Sequence, residues 1–211
     1  ELGVDFIVYT DENNDKKISD DARAALNGLC YSFDIKKVVR AIASDHPYEL
    51  YWFDKTAGYT YPASLRCSAK KDDNGEYVLG FADDPVNYPV SFKFKVSADY
   101  RLSADELFIT NTAKTGAAVN AAGKARDIVN HNADLDDYDK LVAYKNIICD
   151  LVSYNKTAAD AGNDVSYGDP WQLIWVFDGD PDTNVVCEGY SKAFKYLCDL
   201  STFGWDVSCI T

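Results

Sequence analysis

Methionine is missing altogether from the 211 residues, and histidine is nearly so, with only His46 and His131. Without even an initiator Met, residue 1 does not read as the start of translation, and a trimmed, exported polypeptide is the expectation. Basic residues are also scarce: 21 Lys and Arg face 34 Asp and Glu, leaving a net charge of −13. That balance argues against nucleic acid or anionic membrane as a partner, because both are held through clustered cations. No apolar run reaches the roughly 20 residues that a spanning helix needs, which argues against membrane insertion. Six cysteines are too sparse for a disulfide-built scaffold in a chain of this length. Cys30, Cys67, Cys149, Cys198 and Cys209 are mostly flanked by apolar residues, so buried thiols are the default reading. A bridge between two of them stays open if the compartment is oxidising. No internal repeat or low-complexity segment is present.

What is there is enough for one large or two small domains with a real core. Residues 1–12 alternate as a strand, with Val4, Phe6 and Val8 between more polar neighbours, and a polar turn from Asp11 to Lys17 follows. Ser19 reads as the N-cap of a helix through Ala22–Leu29, with Asp20 and Asp21 in its first turn. A second helix, Asp34–Ala43, carries Ile35, Val38, Val39 and Ile42 on one face. From Leu50 to about Phe108 the pattern turns to strands, centred on Tyr51-Trp52-Phe53, on 77–81 and on 91–96. Asp72-Asp73-Asn74-Gly75 is a hairpin signal. Beyond Asn111 the chain becomes helical, over 117–130 and then 135–153. In the latter, Leu141, Tyr144, Ile148, Leu151 and Val152 form a wide apolar stripe that requires a cover.

The chemistry concentrates at Cys187. A β-branched pair, Val185-Val186, leads into it, and an amphipathic helix starts there, with Tyr190, Phe194, Leu197 and Cys198 at helical spacing. A thiol in the first turn of a helix meets the positive end of the macrodipole and unsatisfied N–H groups, which favour thiolate over thiol. The same amides could hold the oxyanion formed when the thiolate attacks a carbonyl. The plain alternative is a small buried hydrophobe, as most free cysteines are.

The string Val186-Cys187-Glu188-Gly189-Tyr190-Ser191-Lys192-Ala193-Phe194 resembles the nucleophile segment of transglutaminase-like (papain-like) proteins, above all the bacterial transglutaminase-like cysteine peptidases. In that family a Val-Cys-x-Gly-Tyr-Ala-x-Ala-Phe pattern opens a core helix. Upstream, residues 137–148 followed by Val152-Ser153-Tyr154-Asn155 are similar to the family's preceding helix and its terminal Tyr-Asp/Asn, and the resemblance covers roughly residues 113–211. One departure is visible, since the family often has Gly where Val185 stands, two residues before the cysteine. That alters the turn leading into the helix more than it alters the nucleophile.

The resemblance implies an α+β fold whose residues 113–211 are the helical half of a transglutaminase-like core, with 1–112 an N-terminal α+β region that is β-rich from about residue 50. It implies a Cys-His-Asp triad with His and Asp on strands after the cysteine helix. No histidine follows Cys187. His46, before Pro47, reads as a helix exit, and His131 as a polar helix end. The expectation is therefore that the remaining catalytic partners lie beyond Thr211, and that these residues alone are an inactive, truncated catalytic unit. Transglutaminases and papain-like enzymes also use an upstream Trp or Gln N–H as oxyanion donor. Trp171 and Gln172, after Pro170 at a predicted helix start, are the candidates here. Trp171, with Trp175 and Phe177, also reads as core.

Two acidic clusters invite a calcium reading. Asp11, Asn13 and Asp15 echo the start of an EF-hand loop, but Lys16 replaces its glycine and Ala22 its last carboxylate. Asp178, Asp180 and Asp182 lie in a Gly/Pro loop before Cys187. Ordinary turn chemistry is the preferred reading of both, and no cofactor is expected.

The expected function is cysteine acyl transfer through a Cys187 acyl-enzyme, as peptide or amide hydrolysis or transamidation, on a protein or peptide substrate that includes cell-wall peptide. An extracellular or cell-surface bacterial setting goes with it. The alternative is a non-catalytic binding or cell-wall module that keeps the fold, and a third reading, calcium-dependent adhesion through the acidic loops, is open to calorimetry.

Overall fold

The computed structural model describes residues 8–10, 12–14, 16–30, 34–61, 67–71, 73–75, 77–81, 91–162, 169–205 and 207–209. Helices and short strands are mixed along the chain, giving an α+β protein in which helix predominates. Contacts divide it into two units: Glu1–Val38 with Thr60–Lys93, and Val39–Tyr59 with Phe94–Thr211. Residues 39–59 and 94–112 thus belong with the helices beyond 113.

In the smaller unit, β1 (Val8–Thr10) pairs antiparallel with β2 (Lys16–Ile18), Val8 opposite Ile18. Asn14 in the turn between them has φ 67°, a left-handed conformation that Asn tolerates. Ser19 caps α1 (Asp20–Cys30) as predicted: its Oγ accepts from the Ala22 amide at 3.3 Å, and Asp20 and Asp21 fill the first turn. Helix α2 (Ile35–Asp45) starts where the Asp34 carboxylate accepts from the Lys37 amide at 3.1 Å. Ile35 and Val39 are buried, whereas Val38, expected on the same face, is 37% exposed. The division between units passes through α2, and the two-residue strands β3 (Tyr59–Thr60) and, later, β6 (Lys93–Phe94) also fall at it. The predicted hairpin is present: β4 (Cys67–Lys71) and β5 (Tyr77–Phe81) pair antiparallel with Lys71 opposite Tyr77. Gly75 in its turn has φ 81°, which only glycine adopts without strain.

In the larger unit, the strand expected at Tyr51-Trp52-Phe53 is instead a run of turns. The amides of Leu50, Tyr51 and Phe53 donate to the nearby carbonyls of His46, Tyr48 and Leu50, so Phe53 makes only an isolated bridge to Val96. Tyr51 and Phe53 are buried, so their aromatic signal was one of burial and not of strand. The predicted strand at 91–96 shrinks likewise to β6 plus that bridge.

The helices follow. Helix α3 (Gly116–His131) buries Ala118, Ala121, Ala122 and Ala125, a stripe of small side chains that lets α6 approach closely. Asp136 caps α4 (Asp137–Leu151), accepting from the Asp139 amide at 2.8 Å. Of the predicted stripe, Tyr144, Ile148 and Val152 are buried and Leu141 and Leu151 partly so. The helix stops at Leu151, short of Ser153, because Val152 turns extended (φ −140°, ψ 154°) into strand β7 (Ser153–Tyr154). After α5 (Lys156–Ala161) come two 3-10 turns, Asp169–Trp171 and Leu173–Trp175, then β8 (Asn184–Val185) and α6 (Cys187–Asp199). The core gathers Tyr144, Leu173, Ile174, Phe177, Val185 and Leu197, each at most 2% exposed. Burying each such side chain contributes about 1.5–3 kcal/mol, which makes this helical packing the chief stabiliser of the unit. Among the described residues, no helix is long and apolar enough to cross a membrane.

Candidate functional site

The start of α6 is built from three separate stretches of chain. Strands β7 and β8 pair in parallel, Ser153 with Asn184 and Tyr154 with Val185. Parallel pairing needs a long crossover, and α5 with the 3-10 turns supplies it. The Asn155 amide donates to Val185 O at 2.9 Å, while the Asn155 side chain caps α5 by accepting from Ala158 at 2.9 Å. From a third stretch, Pro170 O accepts the Val186 amide at 2.8 Å. Val186 is therefore fixed in extended conformation (φ −87°, ψ 175°) as the cap residue, and Cys187 is the first residue of the helix.

Gly189 sits where these stretches converge. A Cβ there would lie 2.8 Å from Val185 Cβ and 3.1 Å from Pro170 O, so only glycine allows the helix this close to β8 and the 3-10 turn. On the neighbouring position, Tyr190 stacks on Tyr154 with ring centroids 6.3 Å apart. Its hydroxyl donates to Val152 O at 2.9 Å. Burial, with Cys149 and Tyr154 nearby, pushes the Tyr190 phenol above its usual value, so it remains a donor.

Cys187 itself is exposed and its carbonyl accepts from Ser191 Oγ at 3.0 Å. Beside it, Glu188 bridges two cations: it pairs with Lys55 and, at 2.9 Å, with Lys192. The Lys192 side chain is only 11% exposed, and its Nζ also donates to Gln172 Oε1 at 3.2 Å. Burial lowers the Lys192 ammonium below its ordinary value; Glu188 opposes that shift and Lys55 adds to it. Sequence reasoning missed this group. The Glu188–Lys192 half was legible as an i,i+4 pair with Glu on the N-terminal side. Lys55, 133 residues away, carried no signal.

The other candidates are placed as follows. Trp171 and Gln172 were expected at the start of a regular helix, but Gln172 is extended (φ −107°, ψ 139°) and separates two single 3-10 turns. The cause is burial on all sides: Leu173, Ile174, Val176 and Phe177 are each at most 2% exposed, which a one-faced helix could not achieve. Gln172 is 1% exposed with its amide oxygen turned to Lys192, and Trp171 is half-buried next to the Pro170 carbonyl that holds Val186. Trp175 and Phe177 join the core, as their composition suggested. His46 faces Glu49 across 3.9 Å, and His131 Nδ1 is 2.7 Å from Asp127 O of its own helix. Neither is hydrogen-bonded to Cys187.

Asp178, Asp180 and Asp182 form a turn. Asp178 accepts from the Asp180 amide at 2.8 Å and from Thr183 Oγ1 at 2.6 Å, and Asp180 accepts from the Asp182 amide at 2.9 Å. Gly179, at φ 85°, supplies the bend. The carboxylates of Asp178 and Asp180 are thus turned onto their own loop. Among the described residues, no group of three or more His, Cys, Asp or Glu stands together to hold a metal ion. Asn13 lies in an exposed turn, while Asp11 and Asp15 lie outside the described residues.

Helices α4 and α6 flank a groove of about 480 Å³, lined by Ile148, Cys149, Tyr190, Ser191, Phe194 and Cys209 among others. Ser191 and Phe194 lie four and seven residues after Cys187, so all three share one helix face. Comparison with family models, with curated proteins and with solved structures returns no match in any of the three.

Proposed function

We propose that Cys187 is the nucleophile of a cysteine acyl-transfer site of the transglutaminase-like kind, acting on a peptide or glutamine-side-chain carbonyl of a protein substrate at the bacterial cell surface. One observation carries this reading: an exposed thiol occupies the first position of α6, and the cap residue Val186 offers no side-chain acceptor to the first-turn amides. Helix α4 differs, because Asp136 occupies its capping position and accepts from Asp139. The start of α6 thus pairs a nucleophile with N–H groups suited to an oxyanion. The thiolate attacks the carbonyl carbon, the amine leaves, and the thioester passes its acyl group to water or to an amine. The pairing of β7 with β8 supports the reading further, because it joins the two segments on which the family resemblance rests.

The test is reaction of the native chain with iodoacetamide at neutral pH, site by site, together with a peptidase and amine-incorporation assay. The expected result is that Cys187 labels fastest and that Cys187→Ala removes both the fast label and any turnover. Fast labelling at Cys149, the other exposed thiol among those described, overturns the assignment.

A second reading rests on the histidines. Since His131 is hydrogen-bonded within its own helix and His46 faces Glu49, the fold also suits a non-catalytic surface or cell-wall binding module in which the thiol is unused. Fast labelling of Cys187 without turnover on any peptide would favour it.

A further inference from the structure

Among the described residues, the two large apolar side chains left most open to solvent are Trp205, 82% exposed, and Tyr138, 74% exposed. They are distant in sequence, yet one clamp brings their backbones together. The Asp137 carboxylate accepts from the amides of Gly204, at 3.0 Å, and Trp205, at 3.1 Å, and Tyr138 is the next residue of α4. Buried Lys140 donates to Thr202 O at 3.0 Å and lies 5.8 Å from the centre of the Phe203 ring, so the approach to Trp205 is held as well. One helical turn after Tyr138, Val142 is 38% exposed, and Leu135, just before the cap residue, is 39% exposed. A fixed backbone that leaves its rings in solvent adds nothing to the core. Clustered exposed aromatic residues of this kind mark surfaces where partners bind.

The charge around the patch selects the partner. Asp134, Asp136 and Asp139 are exposed beside Tyr138, and Asp137 adds a further carboxylate. Lys140, the first cation of α4, is buried and engaged, and no Lys or Arg follows Lys195 in the sequence. A second copy of the chain would set the same carboxylates against these, which disfavours self-association. We propose that Trp205, Tyr138 and Val142 form a docking surface for a Lys- or Arg-bearing segment of a partner protein. Its cations lie over the two rings and against the carboxylates, and its apolar residues cover Val142 and Leu135. The surface does not include Cys187 and stands whether or not that residue is a nucleophile.

The experiment titrates the full chain into a fluorescein-labelled peptide built from Lys and Leu, and into a control peptide with Glu at every Lys, and reads anisotropy. The expected result is one-to-one binding of the Lys peptide that weakens as salt is raised, and no binding of the Glu peptide. Trp205→Ala and Tyr138→Ala, both at exposed positions, should each weaken binding about fivefold or more with an unchanged urea denaturation curve. Asp134→Asn combined with Asp139→Asn should weaken it and flatten the salt dependence. Wild-type affinity in both aromatic variants would mean that the peptide gathers on the net charge of −13 at large, and overturns the proposal. So does an absence of binding, a dimer in sedimentation that the same variants dissolve, or Trp205-dependent binding of a neutral oligosaccharide in place of the peptide.

Discussion

One helix carries two thiols eleven residues apart, and its two ends treat them in opposite ways. Cys187 opens α6 exposed, with no side-chain cap beside it. Cys198, in the last turn, is 6% exposed, and its thiol is pushed up to about 12, first by burial and then by Cys209. The residue type is the same, so the difference comes from position: an N-terminal first turn faces solvent, and the C-terminal turn is roofed by the chain that follows. A cysteine's chemistry is thus set by the elements around it and not by its local flanks, since each thiol stands between one apolar and one acidic neighbour, Val186 and Glu188 or Leu197 and Asp199.

The largest effect should appear in alkylation. At about pH 8 a thiol titrating near 12 is ionised on the order of one part in ten thousand, before burial slows access further. Cys198 should therefore label orders of magnitude more slowly than Cys187 in the native chain, and at a similar rate once both are unfolded. Mass-mapped time courses check this, and equal native rates would erase the contrast. The sign of the linkage follows from the raised value. Between the ordinary 9.0 and about 12 the unfolded chain loses the Cys198 proton and the folded chain keeps it. The contribution is full below 9.0 and declines as pH rises, by at most about 1.4 kcal/mol per pH unit.

How much of this was legible beforehand differs along the helix. The start of α6 at Cys187 could be read from the Val185-Val186 pair and the spacing of Tyr190, Phe194 and Leu197, since local periodicity writes itself into sequence. So could the cap at Ser19 and the hairpin at 73–75. What could not be read depends on partners distant in the chain. Asp137 and Lys140 reach the segment after α6, and Lys55 reaches Glu188, only through tertiary folding. The aromatic run at 51–53 misled for the same reason: aromatic residues mark burial, and whether they sit in strand or turn is decided by where their amides find carbonyls.

A second contrast lies between Gly189 and the rest of α6. Elsewhere in a helix Gly→Ala is favourable by about 1 kcal/mol through propensity. At Gly189 the new Cβ meets Val185 Cβ at 2.8 Å and Pro170 O at 3.1 Å, atoms attached to or part of the backbone, so neither can rotate away. Overpacking of this kind costs about 1–3 kcal/mol against that gain, leaving Gly189→Ala less stable by up to about 2 kcal/mol in urea denaturation. A stabilised variant would mean that α6 starts farther from β8 than the contact implies, and with it the geometry that presents Cys187.

The smallest effect concerns charge at the same end of the helix. Glu188 is the shared partner of Lys55, half exposed, and Lys192, whose side chain is 11% exposed. In Glu188→Gln the shape is kept but buried Lys192 loses its carboxylate partner, a charge-assisted bond lost at a site open on one side. The expected loss is about 1 kcal/mol, discounted from the fully buried case because Glu188 is itself 26% exposed. The pH dependence tells this apart from a simple packing defect. The Lys192 ammonium is already lowered by burial, and removing the carboxylate lowers it further. Its unfavourable contribution is present below the folded value and is relieved as pH climbs toward the ordinary 10.5. The gap between wild type and Glu188→Gln should therefore narrow in alkaline solution, and Lys192→Met should be nearly insensitive to pH over that window. A gap that stays constant from neutral to alkaline pH would assign the loss to shape alone.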